Sequence, residues 1–579
     1  MKQILIKICS TLLASLMLAA FGFVAVADEE EGDLGASLDA FIEEHESTTA
    51  GLAVSVFTAD ETLYETYAGF ADVENRLPVA EDTVFEWGST TKLLVWISVM
   101  QLWEEGLIDL SADIRTYLPD GFLTNLTFST PVTMLDLMNH RAGFQEQIAD
   151  LMLPVDEDAL SLEEALRLHK PKQVYEPDTV TAYSNWGVAL AGYTVECISG
   201  ESFCDYVHAH IFAPLQMTHT ALLPDLSDNQ WVQTQRDTLQ CYTTDVTLIP
   251  NCRYQIPMYP CGMCTGTLSD LMTFGKALLR EDCPLFAESG TRSMLFTPSD
   301  YYAGTDLARN CHGFWVDYYG IPVIGHGGNT MGCSSFLLLD VEGGRGYSVM
   351  TNQKYEEIFN YEMPALIFGE NESLINRALP KGMYRTSRTI LTGPMKLYTL
   401  FYGYSSFSKD DLKYHWVPIG EDAAVVSWQV SDSIRFPVTT LILEWGVFLL
   451  FGAAALFSLI YLLSALIGAL RRRIRKITPK EDARRPLRYA AAILQLLLIG
   501  ILAFAVIQVF QGALSRSYRW CFAAAGIIGL LMLALIVWLL FRRGARTKGA
   551  RVLNVLSILF LAGSVLNVLY WQLYAFWAL

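Results

Sequence analysis

Positive charge is scarce over most of this 579-residue chain. Of its 41 Lys and Arg, 16 lie beyond residue 440 and two within the first seven residues, leaving 23 against 58 Asp and Glu in between. A stretch carrying roughly −35 repels a polyphosphate backbone, which excludes a nucleic-acid partner; the charge bears on solubility and steering, not on fold. Metal-ligand patterns are lacking too. Cys261-Gly262-Met263-Cys264 has half-site spacing, yet no second half-site or His pair follows at a zinc-like distance. His169, His208, His210, His219 and His312 show no ligand spacing either, so neither metal nor cofactor is expected. The nine cysteines between residues 28 and 440 read as buried thiols or a bridge, because a domain of this size holds its core without disulfides. There is no internal repeat and no low-complexity tract. Beyond residue 440 the scarcity reverses: Glu444, Glu481 and Asp482 are the only acids there.

What is present begins with an address label. Lys2 and Lys7 precede an apolar run to Val26, and Ala25-Val26-Ala27 supplies small residues where signal peptidase cuts, so residues 1–27 read as an export signal. Four apolar runs, about 441–470, 489–511, 521–541 and 552–579, each offer the roughly 20 residues that a bilayer helix needs. Arg and Lys crowd the connections after the first and third runs, while Arg516 and Arg519 alone mark the second. The positive-inside rule puts the two basic connections in the cytoplasm and the acidic domain outside, in agreement with the signal. The expectation is a multi-pass membrane protein with the lipid bilayer as one partner and its domain of residues 28–370 extracytoplasmic. Residues 371–440 would link that domain to the membrane with a fold that pattern does not reveal.

Within the exported part, Ala53–Thr58 and Thr62–Gly69 alternate across Asp60-Glu61 as a hairpin. A helix runs from near Ser89 through Glu105 to a stop at Gly106, and residues 161–168, 186–198 and 269–279 carry helical periodicity. Residues 314–323, 334–339 and 346–351 read as strands. Strands at both ends with helices between predict an α+β domain whose terminal strands share one sheet.

Three short motifs could carry chemistry. In Ser89-Thr90-Thr91-Lys92 a hydroxyl and an ammonium three residues apart share a helix face, and a serine attacks only when a neighbour takes its proton. Alone the motif is weak, because Ser before a helix is usually a cap. Tyr183-Ser184-Asn185 opens an apolar helix; a phenol serves as a base only where nearby cations favour its anion. Gly325-His326-Gly327-Gly328 follows a strand-like run, and its glycines let backbone approach a ligand, although a turn with an incidental His fits the same letters.

In this order the three motifs resemble the serine β-lactamase and penicillin-binding superfamily, specifically its class C and esterase-like branch. Phe85-Glu86-Trp87-Gly88 before the serine, Gln101–Leu110, Tyr117-Leu118-Pro119, Leu137–Phe144, Ile211–Met217, Cys261–Leu271 and Thr351-Asn352 resemble further blocks of that family. The resemblance spans about residues 38–352.

It implies a β-lactamase-like fold, an antiparallel sheet flanked by helices plus an all-helical lobe, followed here by a transmembrane bundle of about four helices. It also implies that Ser89 is acylated, that Lys92 and Tyr183 shuttle its proton, and that Asn185 orients Lys92 and a substrate amide. The backbone N–H groups of Ser89 and Asn329 would form the oxyanion hole, with His326, Gly327 and Gly328 on the substrate-binding strand. His326 stands where β-lactamases of this branch carry a lysine, and a His is largely neutral near pH 7, so an esterase or peptidase is expected over an efficient β-lactamase. The substrate would be a small molecule or peptide outside the cytoplasmic membrane; no protein partner is implied. The alternative is a penicillin-binding-type sensor that is acylated and signals through its helices. His140 reads as structural, and Gln145 as a minor candidate for substrate contact.

Overall fold

Leu52, Val54 and Val56 alternate with Ala53, Ser55 and Phe57 along β1 (Gly51–Thr58), and both sets are buried. A strand buried on both faces belongs inside a sheet covered twice. The computed structural model describes residues 34–157, 160–302, 305–370, 382–402, 404–405, 417–419, 425–477, 482–511, 513–542 and 547–579. The expected export signal lies outside them. Among the described residues, β1, β2 (Thr62–Asp72), β3 (Leu77–Pro78), β4 (Asp300–Tyr301), β5 (Ala308–Cys311), β6 (Phe314–Tyr318), β7 (Pro322–Asn329), β8 (Ser334–Asp340) and β9 (Arg345–Thr351) form one antiparallel sheet. Its order is β3-β2-β1-β9-β8-β7-β6-β5-β4, so the N-terminal hairpin closes on the last strand through β1 and β9. The Ser55–Ser348 pair, 2.7 Å between hydroxyls, marks the register at the centre of that seam.

On one face Leu52, Val54 and Val56 pack with Leu38 and Ile42 of a helix at residues 34–45 and with Phe359 and Met363 after the sheet. On the other, Ala53, Phe57 and Leu337 join the main core. Each fully buried apolar side chain there contributes about 1.5–3 kcal/mol. Residues 314–323, expected as one strand, are two: Tyr319–Ile321 turn between β6 and β7, where Gly320 leaves no space for a side chain against Phe368 O and Pro322 removes a ladder donor.

The helical lobe is built around α1 (Lys92–Glu104), which is buried from Lys92 to Leu102 and ends before Gly106 at φ +71°. A helix apolar all round is an interior helix. Around it lie α2 (Leu162–Leu168), opened by a capping box between Ser161 and Glu164; α3 (Asn185–Ser199), capped by Ser184 and stopped by Gly200 at φ +78°; and α4 (Leu268–Leu279), capped by Thr267.

The linking segment is itself folded. Strands β10 (Met383–Thr386), β11 (Tyr404–Ser405), β12 (Val417–Ile419), β13 (Val425–Trp428) and β14 (Ser431–Phe436) form a second sheet in the order β11-β10-β14-β13-β12. It leads into four long helices, α5 (Val438–Arg475), α6 (Arg485–Phe510), α7 (Ser515–Phe541) and α8 (Lys548–Tyr570), each long and apolar enough to cross a membrane. α5 packs on α6 and α8, and α7 on α6 and α8. The bundle interior is more polar than its apolar runs imply. Gln495 lies between Ser458 and Ser564, and Asn567 donates to Val447 O at 2.7 Å, the kind of interhelical bond that substitutes for a hydrophobic drive in lipid.

Candidate active site

Ser89 sits in a 3-10 turn, Gly88–Thr91, that runs directly into α1. The turn is fastened from several sides. Trp87 N donates to Cys264 O at 2.8 Å, Thr91 Oγ1 donates to Gly88 O at 2.6 Å and accepts from Cys264 N at 3.1 Å. The Thr90 hydroxyl reaches His326 O at 3.2 Å and Ser335 Oγ at 2.8 Å, and Ser335 Oγ donates to Trp87 O at 2.7 Å. Two glycines make the close approach of turn and strand possible. A methyl group at Gly88, φ +52°, would lie 2.8 Å from Asn329 N; one at Gly328 would lie 1.9 Å from Trp87 O and 3.0 Å from Ser89 N. The N–H groups of Ser89 and Asn329 are thereby brought near each other across the contact.

Lys92 is wholly buried and its ammonium donates to Ser89 Oγ at 2.9 Å. It also donates to the carbonyl of Cys261, while the Asn185 side chain makes no hydrogen bond among the described residues. A backbone carbonyl, invisible to motif reading, therefore occupies the Lys92-orienting place expected of Asn185, which stands half-buried at the first position of α3.

Tyr183 is 5% exposed, and the Lys92 ammonium lies 4.9 Å from its ring centroid. His140 stacks on the same ring at 4.3 Å, with Trp315 next to it at 5.4 Å and His326 6.2 Å from Tyr183. His140 accepts a hydrogen bond from Ser184 N at Nδ1, so its proton sits on Nε2. Burial, followed by the Lys92 charge, holds its pKa well below the ordinary histidine range. His140 is the structural residue that the sequence implied, fixing the backbone on both sides of Tyr183 through Ala182 N as well.

His326, Gly327 and Gly328 lie inside β7, not in a turn, and pair with β8 through Asn329↔Ser334. β6 pairs β7 only as far as Gly325, so from His326 onward the strand is laddered on one side. The imidazole donates from Nδ1 to Gly327 O at 2.6 Å, and burial together with Lys92 pushes its pKa down to about 3.

Arg388, Glu146 and the loop before β14 also reach this cleft, and nothing in the sequence pointed to them. The Arg388 guanidinium lies 4.9 Å from the Tyr183 ring centroid and pairs with Glu146 at 2.5 Å. Tyr183 N donates to Val430 O at 3.0 Å. The Gln145 amide oxygen is engaged within the protein, accepting from Leu391 N, Thr392 N and Thr392 Oγ1. Cys261 and Cys264 are separate buried thiols, raised in pKa by burial, and the disulfide joins Cys241 to Cys252. Cys204, His208 and Asp228 gather elsewhere with donor atoms within 4.8 Å, but the Asp228 carboxylate already accepts from Leu222 N, Leu223 N and His208.

The Ser89 hydroxyl and the buried Lys92 ammonium thus meet beside the Tyr183 ring, with the N–H groups of Ser89 and Asn329 close by. Residues 38–368 match the family model described as Beta-lactamase. Among curated proteins, the chain is 26% identical over 315 residues to a probable hydrolase, clz13, of Cochliobolus lunatus, covering 45% of this chain and 51% of that one. It is 30% identical over 190 residues to penicillin-binding protein 4 of Amycolatopsis lactamdurans, covering 32% and 48%. The chain therefore spans about half the length of these two relatives. A D-amino acid amidase from Ochrobactrum anthropi SV3, solved with L-phenylalanine amide, aligns with a TM-score of 0.49 at 21% identity over 58% of this chain and 97% of that one. Since the family match extends over more than half of its residues and contains the whole Ser89–Lys92–Tyr183 cluster, this chain belongs to the beta-lactamase family.

Proposed function

We propose that this protein is a membrane-anchored serine hydrolase, its catalytic domain outside the cytoplasmic membrane, that works through an acyl-enzyme on Ser89. The observation that carries the reading is the 2.9 Å contact between Lys92 Nζ and Ser89 Oγ, made by a lysine with no exposure to water. As Ser89 Oγ bonds to the substrate carbonyl carbon, its proton passes to the Tyr183 oxygen while the Lys92 ammonium steadies the developing alkoxide, and the carbonyl oxygen takes up charge against the N–H groups of Ser89 and Asn329. Collapse breaks the bond to the leaving atom, which receives that proton through Tyr183. Water then repeats the sequence on the ester and restores Ser89. Asn185, its amide unengaged, is available to a substrate amide. The one-sided strand beyond Gly325 is available to an extended acyl chain by added-strand pairing.

The substrates are esters, peptide-type amides or lactams. With a neutral imidazole at 326 in place of an ammonium, an ester or peptide bond fits better than a β-lactam carrying an obligatory carboxylate near that strand. The four apolar helices and the basic residues after α5 and α7 support the anchoring and the outward orientation. A second reading, a slowly deacylating sensor, is supported by one contact. Arg385 of β10 donates to both oxygens of Glu444 on α5 at 2.9 Å, which joins the sheet beside Tyr183 to the bundle.

Full-length protein in detergent should label with a fluorophosphonate at Ser89, and Ser89→Ala should lose labelling together with several orders of magnitude in ester turnover. Equal labelling of the two proteins would refute the reading. Release of the adduct within seconds favours the hydrolase, whereas an adduct stable for hours favours the sensor.

A further inference from the structure

We propose that Arg388, delivered by the folded segment between the hydrolase domain and α5, is the residue that recognises a carboxylate on the leaving side of the substrate. The inference rests on the serine-hydrolase reading and names the substrate class for the same cleft. Arg388 lies beyond residues 38–368, the stretch that matches the family, so the family match does not account for it.

The case is one of elimination followed by geometry. An anionic substrate needs a cation with donors to spare. Lys92 is wholly buried, and two of its three ammonium donors are on Ser89 Oγ and Cys261 O, which ties its charge to the nucleophile. His326 is neutral, and its one ring N–H is bound to Gly327 O. Arg309 is 2% exposed and is held by Asp432 and Gln429 O. Arg141 is taken by Asp178 and Asp300.

Arg388 differs from all of these. Its side chain is 40% exposed, its Nε donates to Glu146 at 2.5 Å, and neither terminal nitrogen has a hydrogen-bond partner among the described residues. The fork that matches a carboxylate bidentately is thus open, while its plane is held in place by the Tyr183 ring and by Glu146. A cation that is already oriented loses less entropy on binding.

Position supplies the side of the scissile bond. Arg388 and Lys92 each lie 4.9 Å from the centroid of the same ring, so they are no more than twice that distance apart. Consecutive Cα atoms are about 3.8 Å apart, so the open fork is within one to three residues of a carbonyl held at Ser89. Tyr183 is the group that returns the proton to the leaving atom, and a cation seated on Tyr183 therefore meets the leaving portion. A free carboxylate one residue beyond the cleaved bond, as at a peptide C-terminus, has the required reach and charge. In a stretch carrying roughly −35, a fixed cation in the cleft also offers a place to which such a substrate is drawn.

The test uses full-length protein in detergent and a matched pair of esters, m-carboxyphenyl phenylacetate and m-carbamoylphenyl phenylacetate. They share an acyl group and differ in the charge on the leaving phenol. Wild type should favour the carboxylate ester by tenfold or more in kcat/KM. Arg388→Ala and Arg388→Gln should abolish that preference, raising KM for the carboxylate ester tenfold or more beyond any change in the neutral ester, and retain the wild-type unfolding temperature. Arg388→Lys should recover part of the preference, and 0.5 M salt should shrink it in wild type. An unchanged ratio in Arg388→Ala, or an equal slowing of both esters, would overturn carboxylate recognition while leaving the hydrolase intact. Failure of wild type to turn over either ester or to take a fluorophosphonate at Ser89 would instead overturn the hydrolase reading, and this inference with it.

Discussion

His326 carries its ring proton on Nδ1, bonded to Gly327 O, and its Nε2 is buried without a partner. Burial disfavours a charged ring and the Lys92 ammonium disfavours it further, so the imidazole titrates near 3 instead of near 6.5. The sign then follows. Between those two values the unfolded chain takes up a proton that the folded chain refuses, so this residue makes folding less favourable as pH falls from about 6.5 toward 3. Above about 6.5 it contributes nothing to the pH dependence. His326→Asn should therefore flatten the loss of stability on acidification, read as a smaller drop in unfolding temperature between pH 7 and pH 4. The same variant should lower ester turnover without moving the inflections of the pH–rate profile between pH 5 and 9, since the native ring is neutral throughout. An acid-side inflection displaced by a full unit would mean that His326 is the titrating group after all.

At the scale of elements, the Ser89 turn and β7 meet along a contact with no slack. A methyl group at 328 would lie 1.9 Å from Trp87 O, 2.7 Å from Ser335 Oγ and 3.0 Å from Ser89 N, so Gly328→Ala has to push the strand away from the turn. Separating the two N–H donors should cut the rate of Ser89 acylation by about 10²–10³, the scale of losing one oxyanion donor. Gly327→Ala, whose methyl would meet only the edge of the Phe336 ring at 3.3 Å, should stay within tenfold. Fluorophosphonate labelling over time measures both. The glycines were legible in the sequence as a pattern, as were the β1–β2 hairpin, α1, and the Ser89, Lys92 and Tyr183 set, because alternation, helical spacing and motif order are local signals. The second sheet was not. β14 reads Ser431-Asp432-Ser433, with all three side chains buried, so it lacks the apolar alternation by which a half-buried strand is recognised. What makes it a strand lies far away in the chain: Asp432 accepts from Thr181 N at 2.9 Å and pairs with Arg309, and Ser387 Oγ donates to Thr181 O. Polar satisfaction by a partner some 250 residues distant leaves no local trace. Arg388 and the Cys261 carbonyl escaped notice for the same reason.

At the scale of the whole molecule, the cleft around Ser89 and the bundle are joined through β10. α5 has 38 residues and, at 1.5 Å each, runs about 57 Å, far longer than a hydrocarbon layer of about 30 Å. In the proposed membrane arrangement its first turns, which carry Glu444, therefore stand clear of the lipid beneath the second sheet. There Glu444 is 3% exposed, accepts two bonds from Arg385 and a third from the Tyr570 hydroxyl at the end of α8. Three residues further on, Arg388 rests on Tyr183. A second joint at Asp150 and Ser515, with Glu157 and Arg516 beside it, ties the helical lobe to α7 independently. Removing one side of a buried ion pair costs about 3–5 kcal/mol, and less here because Arg385 is 24% exposed to water. Glu444→Ala should thus loosen β10 and β14 without releasing the hydrolase domain from the bundle. In full-length protein, amide exchange over residues 382–390 and 431–436 should quicken by tenfold or more, since each 1.4 kcal/mol is a factor of ten. Exchange in β1, β9 and α7 should be unchanged. If β10 holds the guanidinium in register, the same variant loses preference for the carboxylate ester while small fluorophosphonates still label Ser89 within about threefold of wild type. Unaltered exchange in β10 would show that the second sheet is held by Asp432 and Arg309 alone, and that the bundle anchors the enzyme without reaching its cleft.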